Sequence, residues 1–506
     1  MNIIITLAGK SFRFFSEGYK KDKFLLPTYD NKIVLEHVVE MFSPDDKFHF
    51  IISKKQSKIK GLKNKISGLT KRNTIHEIED HNKGPVHSII KINDIDKNEP
   101  IIISYCDFFV KWDYKRFLRN SFSSDGAIPV FKGFHPSSLT GTLYAYIKSD
   151  KKNSFLSIRE KKSFTKNPTN EFASCGIYYF KSFKIFKHFG YKLMQKTKGE
   201  GYVSLIFNLM KKSKLNIDLF EVEKFICLGK PIDYRIFLYW IKYFKFNLGF
   251  KATKYFDTYN LIPMSGEGKR FKDYGYRVRK PLIEIKKKPM ILNACETFPK
   301  SNNWNFIINK KDNQNNRVEK LIKNFHKDSK IIKVNKLTKG PAESCYLSKK
   351  NINQDNPLFI SSCDYITIFN ENKWSELIKN KNIDGAIWTY KLDSIIVKSF
   401  NAFGYCKIKN KNSVAKIVEK KIISKSPIND QMIIGSFWFR KAKMFFDNYD
   451  EARKKNFLLN NEYYVGNNIN LLLKKNFKFV IFEVDQWVSL GDPFEVKVFE
   501  YWEDIF

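Results

Sequence analysis

The sequence predicts an α/β protein of two tandem units, each built on a doubly wound, mostly parallel sheet. Three observations carry that reading: an internal repeat, short apolar runs ending in glycine or aspartate turns, and helical segments alternating with those runs. The repeat decides the organisation. "TLAGKSFRFFSEGYKKDKFL" (Thr6 to Leu25) is a divergent copy of "PMSGEGKRFKDYGYRVRKPL" (Pro263 to Leu282). Gly9, Arg13, Gly18 and Lys23 each find a counterpart 257 residues on, at Gly266, Arg270, Gly275 and Lys280. Asp107 in "ISYCDFF" and Asp364 in "ISSCDYI" keep the same spacing. Further pairs are "NKGPVHS" (around Gly84) with "TKGPAES", "IREK" (ending at Lys161) with "IVEK", and "EVEKFICLGKP" with "EVDQWVSLGDP". Trp240 and Trp502 close the copies, which are assigned to residues 1–246 and 257–506.

The elements follow in order within each copy. "NIIIT" and "YNLIPM" are apolar runs before a glycine loop, the pattern of a buried first strand ending in a turn. "FHFIIS" (Phe48 to Ser53) and "WNFIIN" (Trp304 to Asn309) read as second strands. "KIIKV" leads to the Lys-Gly-Pro turn, after which "AESCYLSK", like "VHSIIKI" in the first copy, starts a helix. "PIIISYCD" and "PLFISSCD" are strands that deliver an aspartate at the carboxyl end. Ligands of such sheets bind at the carboxyl ends of the strands, so glycine loop, Lys-Gly-Pro turn and aspartate should meet at one edge.

Bulk properties narrow the function. A chain of 506 residues has room for two substantial cores. No apolar run approaches the roughly 18 to 20 residues of a membrane span, and "MNIIITLAG" reads as a strand, not a signal peptide. Seven scattered cysteines without a C-x-x-C fit a reducing cytoplasm and argue against a zinc cluster. The net charge is +38, yet the lysines are spread along the chain and no nucleic-acid motif accompanies them. A partner among multiply phosphorylated small molecules is the simpler expectation. Taken singly, the loop glycines could serve a tight turn, Arg270 and Lys280 could be solvated charges, and Asp364 a helix cap. Their ordered recurrence in both copies is what singles them out. Trp487 and Trp502 are assigned to the core.

"MSGEGKRFKDYGYRVRKPLI" resembles the signature of the sugar-phosphate nucleotidylyltransferase family, and is most similar to its capsule and lipooligosaccharide-type members. Those also carry a Lys-Gly-Pro/Ala turn and a late W-x-x-L-G-x-P segment, and the resemblance runs nearly end to end through both copies. It implies two Rossmann-like, GT-A-type domains and Mg²⁺-dependent transfer of a nucleotidyl group onto a phosphorylated sugar, polyol or related metabolite. CTP, dTTP and UTP all stay open as donors, with cytidine favoured. The nucleophile of such a transfer is already an anion, so catalysis reduces to positioning and charge neutralisation. Gly266 and Gly268 let backbone N–H groups approach a triphosphate. Arg270 can reach the outer phosphates, and Lys280, aimed by Pro281, can bridge the α-phosphate and the incoming oxygen. Asp364 is the expected metal ligand. By resemblance, Gly340 and Ser344 line the base and ribose pocket, Lys420 grips the acceptor phosphate, and Glu462 with Tyr464 faces the acceptor's organic part. First-copy counterparts are Gly9, Arg13, Lys23, Gly84, Asp107 and Lys161.

The departures from the family pattern matter as much. Many relatives carry a second metal carboxylate two residues before the late glycine, where this chain has Ser489 and, in the first copy, Cys227. Asp485 is the substitute chosen here, with Asp492 the alternative, weakened by Lys230 opposite it. In the first copy Lys10-Ser11 replaces Glu267-Gly268, and Asp22 and Phe24 flank Lys23. Ser11 fits poorly if its position needs a positive φ. The second copy is therefore expected to be active, while the first, which keeps Arg13, Lys23, Asp107 and Lys161, stays open between an active and a degenerate site. Two rivals are a GT-A-type glycosyltransferase, which typically shows a D-x-D metal motif where here Asp364 is followed by Tyr365-Ile366 and Asp107 by Phe108-Phe109, and a non-catalytic nucleotide- or nucleic-acid-binding protein.

Overall fold

The computed structural model describes residues 1–28, 31–135, 144–312, 316–395 and 397–506. Two compact units emerge, Met1–Leu238 with Ile505 and Tyr239–Asp504 with Phe506. In the first, strands Asn73–Ile78, Lys47–Ser53, Asn2–Thr6 and Ile101–Tyr105 lie side by side and parallel. Strand Ile177–Phe180 then runs antiparallel to Ile101–Tyr105, and Gly126–Phe131 follows it. The second unit repeats the order: Lys330–Val334, Asn303–Asn309, Tyr259–Met264 and Leu358–Ile360 are parallel, and the long strand Gln431–Phe439 reverses direction. Each unit is a mostly parallel mixed sheet with helices alternating along the chain, as the sequence predicts.

The strands read as unbroken apolar runs because both faces of the sheet are covered. Side chains alternate across a strand, so neighbours in "NIIIT" must enter different cores. Ile3 and Ile5 pack with Phe48, Phe50 and Leu35 on one face, while Ile4 packs with Ile51, Val86 and Ile103 on the other. The second unit divides in the same way: Ile262 joins Phe306 and Trp388, and Leu261 joins Ile307 and Ile360.

Two features carry this frame to the functional edge. Each aspartate-bearing strand ends and is followed by a two-stranded sheet with the late motif: Tyr365–Ile368 pairs with Gln486–Ser489, and Phe108–Lys111 with Lys224–Cys227. A hairpin, Gly404–Ile408 with Val414–Glu419, carries the "IVEK" lysine at its end. Its first-unit counterpart is Ala145–Ser149 with Phe155–Glu160. Trp487 and Trp502 are buried, as expected, though Trp487 also lines the cavity described next. Among the described residues no helix is long and apolar enough to cross a membrane.

Candidate active site

The site of the second unit starts from the loop after strand Tyr259–Met264. Gly268 stands at φ +62°, the left-handed region, and begins the helix Lys269–Asp273. A Cβ there would lie 3.2 Å from the Cβ of Lys280, so loop and lysine are held against each other. Around Gly266 no atom lies within 4 Å of where a Cβ would stand. At the equivalent of Gly268, Ser11 does adopt φ +47°, a conformation that L-residues avoid. Its hydroxyl accepts a hydrogen bond from the Lys23 N–H at 3.1 Å, which offsets part of the strain.

Lys280 opens a short 3₁₀ turn, Lys280–Leu282. Its Nζ donates to Asp364 Oδ2 at 2.5 Å and to the Gly491 carbonyl at 3.3 Å. Ser362 donates its hydroxyl to the other Asp364 oxygen. Burial alone would pull the Lys280 ammonium down, but the Asp364 charge outweighs it and holds it above the usual lysine range. Burial likewise works to raise Asp364, and Lys280 reverses that, holding the carboxylate below its ordinary value. The first unit repeats the pair, with Lys23 Nζ 2.6 Å from Asp107 Oδ2.

Arg270, Asp364 and Lys420 line one cavity of about 570 Å³, together with Tyr464, Asp492 and Glu495. Lys280 reaches it through Asp364 and Gly491. Arg270 is largely exposed, with Nη1 3.9 Å from Asp492 Oδ2, and Lys398 Nζ is 2.9 Å from Asp492 Oδ1. The loop cation, strand-end acid and hairpin lysine thus face a common space. Lys420 holds φ +57° and Lys161 φ +55°, so the same sparsely populated backbone conformation recurs at both hairpin lysines.

Gly340 acts through its backbone and Ser344 through its hydroxyl. Gly340 stands at φ +107°, and a Cβ on it would lie 2.8 Å from both the N and O of Tyr463. The approach is closed by two hydrogen bonds, Tyr463 N to Lys339 O at 2.7 Å and Ala342 N to Tyr463 O at 3.0 Å. Gly84 makes the same approach to Gly201 in the first unit. Ser344 is buried, its Oγ 2.6 Å from Thr338 Oγ and 3.2 Å from Ser265 Oγ, which ties the glycine loop to the Lys-Gly-Pro turn. Glu462 is exposed and does not line the cavity, whereas Tyr464 does, its hydroxyl pushed up by burial and by the Glu462 carboxylate.

Asp485 requires a correction. It follows strand Phe479–Glu483 and precedes Gln486–Ser489, and its N–H bonds the Ile368 carbonyl, whereas Asp364 faces Leu490 at the other end of that pairing. Five residues of extended chain separate the two ends, about 16 Å. The acid that does reach Asp364 is Glu495, in the first turn of helix Pro493–Glu503. A Cβ on Gly491 would stand 2.8 Å from Asp364 Oδ2 and 3.5 Å from Glu495 Oε2, so the two carboxylates flank this glycine. Ser489 Oγ donates to Glu495 Oε2 at 2.7 Å. Burial raises the Glu495 carboxyl, with Asp364 adding to the effect and the Ser489 hydrogen bond opposing it. A sequence signal for it existed. Six residues after Ser489 stands Glu495, and six after Cys227 stands Asp233, which accepts from the Cys227 thiol at 3.5 Å.

Glu419, the other half of "EK", also lines the cavity. Its carboxylate lies between two glycines: a Cβ on Gly404 would be 2.4 Å from Oε2, and one on Gly466 2.3 Å from Oε1. Burial pushes this carboxyl up to about 7 from 4.5, against the nearby Lys420 charge. The folded state therefore binds that proton more tightly than the unfolded chain. The stabilisation from protonated Glu419 is complete below the unfolded pKa of 4.5 and fades as pH rises toward about 7. Glu419→Gln should accordingly raise the melting temperature at about pH 8 by roughly 2–4 °C, the scale of ~1 kcal/mol in a unit of this size. The gain should disappear in acid, and calorimetry across the pH range checks it.

Two doubly wound units, each gathering paired cations and carboxylates at the carboxyl edge of its sheet, define a phosphate-handling α/β enzyme class. A family model described as "Nucleotidyl transferase" matches residues 3–240 and 259–505, and the chain belongs to that family. It is a nucleotidyltransferase carrying two tandem copies of the family domain. No curated protein matches it. Among solved structures, the nucleoside-diphosphate-sugar pyrophosphorylase from Vibrio cholerae RC9 is 24% identical, over 47% of this chain and 99% of its own, with a TM-score of 0.40. The inositol-1-phosphate CTP transferase from T. maritima is 14% identical, over 51% of this chain and 98% of its own, with a TM-score of 0.39.

Proposed function

We propose that the second unit transfers a nucleoside monophosphate from a nucleoside triphosphate to a phosphorylated sugar, polyol or related metabolite, releasing pyrophosphate. The product would be an activated precursor for surface polysaccharide, made in the cytoplasm. One observation carries the reading: Arg270, Asp364 and Lys420 line a single cavity, and Lys280 is bonded to Asp364 at its wall. A phosphate oxygen of the acceptor forms the new bond to the α-phosphorus, and the bond from that phosphorus to the pyrophosphate oxygen breaks. Lys280 neutralises charge on the α-phosphate, Arg270 holds the departing phosphates, and Lys420 fixes the attacking phosphate. Gly266 and Gly268 admit the triphosphate to the loop backbone, and Gly340 with Ser344 holds the turn that walls the base. Glu419 and Tyr464 meet the acceptor's organic part, with Glu462 acting through Tyr464.

The carboxylate oxygens of Asp364 and Glu495 flanking Gly491 suit a hard cation. We assign Mg²⁺ to this pair, where it would supply charge neutralisation to the triphosphate. Glu495→Gln should weaken Mn²⁺ binding in the presence of nucleotide by at least about tenfold, read by electron paramagnetic resonance. Adding Ser489→Asp should restore it by returning a carboxylate to the same place, while Asp485→Asn should change nothing. Wild-type affinity in Glu495→Gln would remove Glu495 from the metal site.

The function itself is tested by pyrophosphate release. The four ribonucleoside triphosphates and dTTP are each offered with a panel of phosphorylated sugars, polyols and amino-acid phosphates. Release that depends on both partners is the expected result. Release of a nucleoside diphosphate with sugar transfer would favour a glycosyltransferase instead.

A further inference from the structure

The two units differ on both sides of the site, in opposite senses. On the phosphate side the first unit keeps the Lys23–Asp107 pair at 2.6 Å, the left-handed loop at Ser11 and the Gly84 turn. Arg13 lines its cavity, and Lys230 lines it where the second unit has the carboxylate of Asp492. This edge has exchanged an acid for a cation, which favours a more highly charged phosphate ligand.

The acceptor side has changed in the opposite sense. Glu160, the counterpart of Glu419, accepts a hydrogen bond from the Ser204 hydroxyl, at the position where the second unit has Gly466. Its cross-strand partner is Ala145, where the partner of Glu419 is Gly404. Lys161 Nζ donates to the Tyr202 hydroxyl at 2.9 Å, and that hydroxyl donates to Glu200. The lysine–tyrosine stack itself recurs, with Lys161 Nζ 5.0 Å from the Tyr202 ring centroid and Lys420 Nζ 5.9 Å from that of Tyr464, and Lys420 Nζ donates to the Ala402 carbonyl. The change on this side is centred on Glu160, whose carboxylate is held by the Ser204 hydroxyl with Ala145 across the hairpin, while that of Glu419 lies between Gly404 and Gly466.

From this asymmetry we infer that the first unit binds a nucleoside triphosphate and does not transfer it, leaving turnover to the second unit. The inference rests on the reading of the second unit as the transfer site, and the two are tested separately. The full-length chain carrying Lys280→Ala and Asp364→Asn is dialysed against each of the five labelled triphosphates, and pyrophosphate release is followed with the acceptor panel. The expected result is one bound equivalent of triphosphate and no acceptor-dependent release. Adding Arg13→Ala, an exposed change, or Lys23→Ala should weaken that binding at least tenfold, with circular dichroism confirming the fold. Inorganic tripolyphosphate, run in parallel, should bind at least tenfold more weakly than the best triphosphate. Equal binding of tripolyphosphate would overturn the nucleoside assignment. Loss of all binding in the Lys280→Ala, Asp364→Asn chain would overturn the inference. So would acceptor-dependent release that survives there and vanishes on adding Lys23→Ala, because the first unit would then transfer. If the wild-type chain released no pyrophosphate with any pair, the reading of the second unit would fail, while dialysis would still report on the first.

Discussion

Lys280→Ala should lower acceptor-dependent pyrophosphate release by about two orders of magnitude or more, the scale seen when one group aimed at developing charge is removed. The ammonium is held at 2.5 Å from Asp364 and shares the Gly491 carbonyl, so its position is set by the fold. Its side chain is 21% exposed and that of Asp364 20%, close enough to solvent for a bound phosphate to compete for it. Removing it leaves Asp364 with the Ser362 hydroxyl and the more distant Arg270. The fold should survive, since the surrounding strands bury their cores independently of this pair. The discriminating measurement is kcat with a melting curve of the same sample. A hundredfold loss at unchanged melting temperature supports a chemical role, and unchanged release would retire it. Lys280→Arg should rescue poorly, because the planar guanidinium cannot occupy the place of a compact ammonium beside Gly268.

How much of this was legible in the sequence depends on the range of the interactions involved. The strands were, because burial on both faces makes "NIIIT" and "WNFIIN" continuous apolar runs. The paired loops were, because a duplicated chain displays its own constraints twice. Ser11 was correctly singled out: its position needs φ > 0, and a serine there is strained. What a linear reading misses is register. Asp485 is near the late motif in sequence, yet the pairing of Tyr365–Ile368 with Gln486–Ser489 carries it to the far end, and the helix that follows returns Glu495 to Asp364. Glu419 escaped for a related reason. Its significance comes from Gly404 across the hairpin and Gly466 on a distant helix, two contacts that no local motif encodes. The Lys-Gly-Pro glycine was legible as special. Its close approach to Tyr463 was not, because that partner lies over a hundred residues away.

The second large effect belongs to that glycine pair. Gly466→Ser should raise the KM for the phosphorylated acceptor by at least about tenfold while leaving triphosphate affinity unchanged. The new Cβ would arrive 2.3 Å from Glu419 Oε1, the far end of a flexible side chain, so the carboxylate can turn and accept the new hydroxyl. The first unit already displays the result, with the Ser204 hydroxyl on Glu160 at the equivalent position. Since that arrangement folds there, the substitution should not unfold the second unit. A carboxylate engaged this way has lost an acceptor site it would otherwise offer to a substrate hydroxyl, and a site built to hydrogen-bond a substrate loses much of its discrimination when that group is spent. Gly466→Ala separates the two causes: it adds the bulk without the hydroxyl, and should fall between wild type and serine. Calorimetric titration of nucleotide reads one side of the site, and acceptor-dependent pyrophosphate release reads the other. Equal loss on both sides would mean that Glu419 shapes the whole cavity, and no loss on either would remove it from the acceptor's path.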